Sequence, residues 1–199
     1  YWQNDVTIVD KFKNVIDVWK WLQQCEPKDI LKFPRLEKGK KKKKMNLSDI
    51  ERTFMSFLVA SGRPSNIVTK FMDFSNGREN TWINIAENLH KIRHWNIIHG
   101  SYDELENIEA TWFIDPPYQF GGEHYKHGTK DLDYNKLAEW CKSRNGQVIV
   151  CENMKADWLD FKPMVRIQGA CQTNTTEAIW SNHKTNYDAV QQSLQFFQN

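Results

Sequence analysis

Asp115, Pro116, Pro117 and Tyr118 follow directly on the apolar run TWFI (111–114), and in this tetrapeptide residue type and spacing permit a definite chemistry. Asp115 offers carboxylate oxygens as acceptors. Proline has no N–H to donate, and its fixed φ steadies the neighbouring carbonyl. One Asp115 oxygen and the Pro116 carbonyl can therefore accept both N–H protons of an aromatic amine such as that of adenine. Such an amine is a weak nucleophile because its lone pair is delocalised into the ring. Fixing both protons holds the nitrogen as it becomes tetrahedral and aims the lone pair at an incoming electrophile. The Tyr118 ring can stack on the base, worth about 1–3 kcal/mol. The same four residues also suit a plain turn after a strand, since Asp and Pro favour turns. The surrounding elements decide between the two.

Those elements alternate between the two periodicities. VTIV (6–9), ending on Asp10, reads as a strand, and Val15, Ile16, Val18, Trp19 and Leu22 behind it as an amphipathic helix. Pro27 and Pro34 oppose regular structure in the segment that follows. Ser48 and Glu51 fit a capping box ahead of a helix carrying Phe54, Phe57 and Leu58. Trp82, Ile85, Ala86, Leu89 and Ile92 repeat at helical spacing. HWNIIHG, TWFI and QVIV (147–150) then read as strands, with a helix over about 133–143 before the last. PMVRI (163–167) and EAIWS (177–181) form an expected antiparallel pair. The pattern predicts an α/β fold: a sheet with crossovers and an antiparallel edge, interrupted by a mainly helical segment over 28–87. The core then comprises 1–27 and 88–199, and Trp19, Trp82, Trp112 and Trp140 are expected within it.

The chain has 199 residues with 40% hydrophobic and 26% charged side chains, a globular composition that excludes a disordered, collagen-like or disulfide-scaffold chain. No apolar run is long enough to predict a membrane span. Cys25, Cys141, Cys151 and Cys171 include no C-x-x-C pair, which favours a reduced, cytoplasmic protein. The net charge of +2 is unevenly placed: residues 28–44 carry eight lysines and one arginine against two acids, a local +7, leaving −5 elsewhere. Lys40, Lys41, Lys42, Lys43 and Lys44 run unbroken. Such a run is either a solvated loop or a phosphate-tracking arm.

TWFIDPPYQFGG resembles the catalytic motif of the S-adenosylmethionine-dependent amino-methyltransferases, in the D-P-P-Y form of the DNA adenine methyltransferases. The resemblance covers roughly 1–24 and 94–182. It implies a Rossmann-like sheet with the target-recognition segment inserted before the catalytic strand. It further implies that Asp10 binds the cofactor's ribose hydroxyls, and that the HGSYDEL segment, through Ser101 and Tyr102, lines its adenine. Ser101 stands where many members have Asp. Asp115, Pro116, Pro117 and Tyr118 become the catalytic set, with Asp115 also facing the cofactor. The implied reaction is direct methyl transfer to the N6 of an adenine flipped out of duplex DNA, in a bacterial or phage-type setting. The family's aromatic-x-Gly-x-Gly turn would precede Asp10, and residues 1–9 do not hold it. The expectation is that the displayed chain begins inside a longer protein; loss of cofactor binding, or completion by another chain, are the alternatives. An RNA amino-methyltransferase and a non-catalytic DNA-binding subunit are the rival functions.

Within the insertion, Lys40 to Lys44, Arg63, Asn66 and Lys70 are the candidate DNA contacts: lysines on phosphate, Arg and Asn on base edges. Tyr125, past the Gly121–Gly122 pair, is a candidate for a loop closing over the flipped base. His90, His94, His99, His124, His127 and His183 show no zinc-ligand spacing, so no metal is expected. No G-x-S-x-G, G-x-x-x-x-G-K or H-E-x-x-H occurs, which removes the common hydrolase, P-loop and zincin readings.

Overall fold

The computed structural model describes residues 3–33, 46–59, 79–122, 128–168 and 174–183. The chain divides into two compact units, Tyr1–Glu104 and Leu105–Asn199, each of mixed α/β character. The described strands lie in two sheets, one in each unit.

In the first unit, β1 (Thr7–Asp10) pairs in parallel with β2 (Asn96–His99), from Thr7 opposite Asn96 to Asp10 opposite His99. Between them run α1 (Lys13–Gln24), α2 (Pro27–Leu31), α3 (Asp49–Val59) and α4 (Glu79–Asn88), and the last passes into a 3₁₀ turn over Leu89–Ile92. The helices bury one core of Val18, Leu22, Cys25, Ile30, Phe33, Phe54, Met55, Ala86, Leu89 and Ile92. Trp21, Phe33 and Phe54 meet within it at centroid distances of 5.2–6.2 Å. Ile30, Phe33, Phe54, Met55 and Ala86 fall inside the expected insertion, yet they share this core with α1 and with Leu89. The end of α1 is tied to the turn before β2: the Gln23 amide donates to the Ile92 and Trp95 carbonyls at 2.9 and 2.7 Å. Arg93 donates to the Gln23 and Cys25 carbonyls.

The structure corrects the sequence at Pro27. Expected to break regular structure, it opens α2 instead, because a helix's first residue has no intrahelical use for an N–H and proline's φ already suits it. Asp29 caps the same turn by accepting from the Glu26 amide at 3.0 Å. The capping box ahead of α3 is present as expected: Glu51 accepts from the Ser48 amide and hydroxyl, both at 2.7 Å. Glu51 also reaches Lys32 at 2.9 Å. Burial opposes ionisation of Glu51, but the bonds from Lys32 and Ser48 outweigh it and hold the carboxyl at about 2. A carboxyl depressed on folding stabilises the protein above its unfolded value and loses that contribution as pH falls through the folded one. Thermal melts from pH 5 down to about pH 2 should therefore fall more steeply for the native chain than for Glu51→Gln, by about 2–4 °C. Parallel pH dependences would remove the role assigned to Glu51.

In the second unit, the sheet order is β3-β4-β6-β5. β3 (Ala110–Ile114) runs parallel to β4 (Gly146–Asn153), and β6 (Asn174–Ser181) lies antiparallel between β4 and β5 (Lys162–Gln168). The expected antiparallel pairing of the last two strands is present. Gly146 starts β4 at φ +85°, with the Ala110 backbone too close for a side chain. α5 (Tyr134–Lys142) is capped by Asp133, which accepts from the Asn135 and Lys136 amides, and it buries Leu137, Ala138 and Cys141. Trp112 and Trp140 meet edge to face at 5.4 Å, with the Arg144 guanidinium 4.5 Å from the Trp140 ring centre. Among the described residues, no helix is long and apolar enough to cross a membrane.

Candidate active site

β3 stops at Ile114, paired with Val150, whereas β4 continues through Cys151 and Glu152 to Asn153. The prolines explain the difference, since Pro116 and Pro117 have no N–H to extend the ladder. The result is a step at the carboxyl end of the parallel pair. Asp115–Tyr118 lies on it, near the last residues of β4 and the middle of β6, where Glu177 stands opposite Asn153.

Each part of the step is held by an identifiable bond. The Tyr134 hydroxyl, from the first turn of α5, donates to the Pro117 carbonyl at 2.5 Å. The Tyr118 hydroxyl donates to Glu177 Oε2 at 2.7 Å. The chain then turns, with the Gly122 amide donating to the Tyr118 carbonyl at 3.1 Å. A Cβ on Gly122 would lie 2.4 Å from that carbonyl oxygen, so the close turn requires glycine. Beneath it, Glu152 is wholly buried. Its Oε1 accepts from the Gln119 amide at 2.5 Å and from the Trp158 indole at 3.4 Å, and its Oε2 accepts from the Asn153 amide at 2.7 Å. Gln119 and Asp157 exchange two bonds at 3.0 and 3.1 Å, and the Asn153 amide side chain donates to the Phe120 carbonyl at 2.8 Å.

The electrostatics are those of a cluster of acids, Asp115, Glu152 and Glu177. Asp115 reaches solvent, yet the protein packed around its carboxyl withdraws hydration, and Glu177 adds a like charge; together they raise its pKa above the ordinary aspartate range. Burial pushes the Cys151 thiol up to about 11, with Asp115 and Glu177 adding to it. Burial also raises the Tyr118 phenol, reinforced by its bond to Glu177. Among the described residues, neither the Asp115 carboxylate nor the Pro116 carbonyl receives a hydrogen bond, so both acceptors remain open.

No family model, curated protein or solved structure matches the chain.

Of the expected cofactor residues, Asp115 belongs to the second unit, whereas Asp10, Ser101 and Tyr102 belong to the first, where the parallel pairing gathers them at one strand end. Asp10 closes β1, and its backbone carbonyl accepts from the Gly100 amide at 3.2 Å, just past the end of β2. Ser101 and Tyr102 follow directly, the latter opening a 3₁₀ turn. Asp10 Oδ1 is oriented by the Phe12 amide at 2.6 Å. Lys40, Lys41, Lys42, Lys43, Lys44, Arg63, Asn66, Lys70 and Tyr125 lie outside the described residues. Among the described residues, no group of three or more His, Cys, Asp or Glu could hold a metal ion.

Four residues of the site were missed in the sequence: Gln119, Tyr134, Glu152 and Glu177. Glu152 had one visible signal, an acidic residue inside the strand QVIVCEN. A carboxylate there must find donors or leave the core.

Proposed function

We propose that this chain is an S-adenosylmethionine-dependent amino-methyltransferase of Rossmann-like architecture that acts on the N6 of adenine in DNA. The observation that carries the reading is the pair of open acceptors, the Asp115 carboxylate and the Pro116 carbonyl, at the carboxyl end of β3. Ligands of open α/β sheets bind beyond the carboxyl ends of the strands. A carboxylate and a carbonyl that no donor among the described residues occupies suit a ligand bringing two N–H groups of its own. The adjacent Tyr118 ring supports the preference for a planar heterocycle.

Asp10, Ser101 and Tyr102 would hold the cofactor, which when bound supplies an electrophilic methyl group. The chain's own part is positioning. Asp115 and the Pro116 carbonyl each accept one hydrogen bond from the amino group, which favours the nitrogen lone pair turning out of the ring plane. Asp115, ionised, then stands where the proton shed by the methylated amine can be accepted. Tyr134, whose ring lies 5.5 Å from that of the buried Trp158, supports the Pro117 carbonyl through its hydroxyl.

Incubation of the full chain with methyl-labelled S-adenosylmethionine and, separately, unmethylated duplex DNA, single-stranded DNA and folded RNA tests the reading. Label should accumulate in duplex DNA and be recovered as N6-methyladenine. Label in RNA alone would transfer the proposal to the RNA amino-methyltransferases. No label in any substrate, with no calorimetric binding at millimolar cofactor, would favour the non-catalytic subunit.

A further inference from the structure

We infer that Glu177 is a positioning residue for the proposed transfer, anchoring the Tyr118 ring on which the target base stacks; the inference rests on the function proposed above.

The placement of Glu177 follows from the sheet. Because β6 is antiparallel to β4 and Asn153 faces Glu177, residue 177 reaches the end of β4 that extends past β3. Its carboxylate meets a phenol 59 positions earlier in the chain, at 2.7 Å. An O–H bonded to a carboxylate is about twice as strong as a neutral pair. Tyr118 is thus held at three points. Two prolines fix the backbone before it, the Gly122 amide engages its own carbonyl at 3.1 Å, and Glu177 holds the far end of its side chain. A tyrosine pinned only by its backbone would still turn about its side-chain bonds. The third point removes that freedom before any base arrives, so less ordering is left for the binding step.

The bond also separates the two ends of the ring. Glu177 engages the hydroxyl at the edge and leaves the faces to stacking. Asp115, in the same stretch, is left for the amine, so the two carboxylates have different work: Asp115 touches substrate, and Glu177 acts through Tyr118.

The test combines kinetics with a reading of the ring itself. With the full chain, S-adenosylmethionine and unmethylated plasmid DNA, Glu177→Ala and Tyr118→Phe should each lower kcat about tenfold while KM for DNA stays within about twofold. The double variant should be no slower than either single, because both remove one interaction. Glu177→Gln, whose amide oxygen still accepts from the phenol, should fall between Glu177→Ala and the native chain. Ring-carbon NMR relaxation should show Tyr118 flipping faster in Glu177→Ala than in the native chain. Losses that multiply in the double variant, or native kcat in Glu177→Ala, overturn the proposal. Unchanged ring dynamics in Glu177→Ala overturn the anchoring whatever the activity. A native chain that methylates neither DNA nor RNA overturns the function reading instead, and with it the catalytic consequence of the anchor.

Discussion

Asp115→Ala should lower methyl transfer by about 10²–10³-fold, the usual cost of losing one preorganised charge-stabilising group, while the Kd for duplex DNA stays within about threefold. The split follows from where the residue acts. Its carboxylate receives no hydrogen bond among the described residues, so removing it orphans no protein donor and should leave the fold intact. What disappears is one of two acceptors for the amine, which matters as the nitrogen becomes tetrahedral and little for the grip on phosphate. Asp115→Asn divides the role further. The amide keeps an acceptor oxygen but cannot take up a proton, so it should retain more activity than alanine and lose the acid limb of the pH profile. In the native chain that limb lies above the ordinary aspartate range, because burial and Glu177 both favour the protonated acid. Activity needs the carboxylate, so the rate falls as pH drops through the raised value. Glu177→Gln should move the limb to lower pH by removing the like charge. Full turnover by Asp115→Ala would end the assignment, and an acid limb that persists unchanged in Asp115→Asn would place the titration elsewhere.

How far the site was legible depends on the distance over which each part is determined. The strands around it are local facts: TWFI and QVIV are apolar runs, and they form β3 and β4. The open acceptor pair is local too, since strand end and prolines are consecutive. The supports are not. Glu152 serves the Gln119 amide 33 positions away, and Glu177 serves Tyr118 across 59. A glutamate in a strand pattern says that a partner must exist without saying which. Only the registers of β3 against β4 and of β4 against β6 supply the answer. Pro27 illustrates a different limit. Its chemistry is fixed, but the same missing N–H breaks a helix interior and suits a helix start, and position alone separates the two. The gradual tightening of α4 into 3₁₀ geometry at Leu89 is likewise invisible in a pattern that repeats at nearly the same spacing.

Glu152→Ala should be the most destabilising single change in the second unit, at about 3–5 kcal/mol. The residue is fully buried and gathers three N–H donors from three places: the turn after Tyr118, the end of β4, and the Trp158 indole. Alanine leaves those donors inside the protein without an acceptor and opens a void beside them, and both effects add to the loss. Urea titration followed by tryptophan fluorescence should register a midpoint lower by about 1–5 M, given slopes of 1–3 kcal/mol/M. Glu152→Gln keeps the volume and one acceptor oxygen and should lose about half as much. The two also differ in pH dependence. Burial raises the Glu152 carboxyl, and the Gln119 and Asn153 amides pull it back without cancelling the rise. A carboxyl raised on folding keeps its proton in the native state after the unfolded chain has lost it, so stability declines as pH rises from the unfolded value through the folded one. Glu152→Gln should flatten that decline, the opposite sense to the acid-side loss assigned to Glu51. The catalytic consequence follows from the covalent link between Tyr118 and Gln119: freeing the Gln119 amide loosens the chain on one side of the stacking ring. Glu152→Gln, assayed well below its melting point, should therefore lose kcat while duplex-DNA affinity holds. A variant with native stability and native kcat would show that the buried carboxylate supports neither the turn nor the ring.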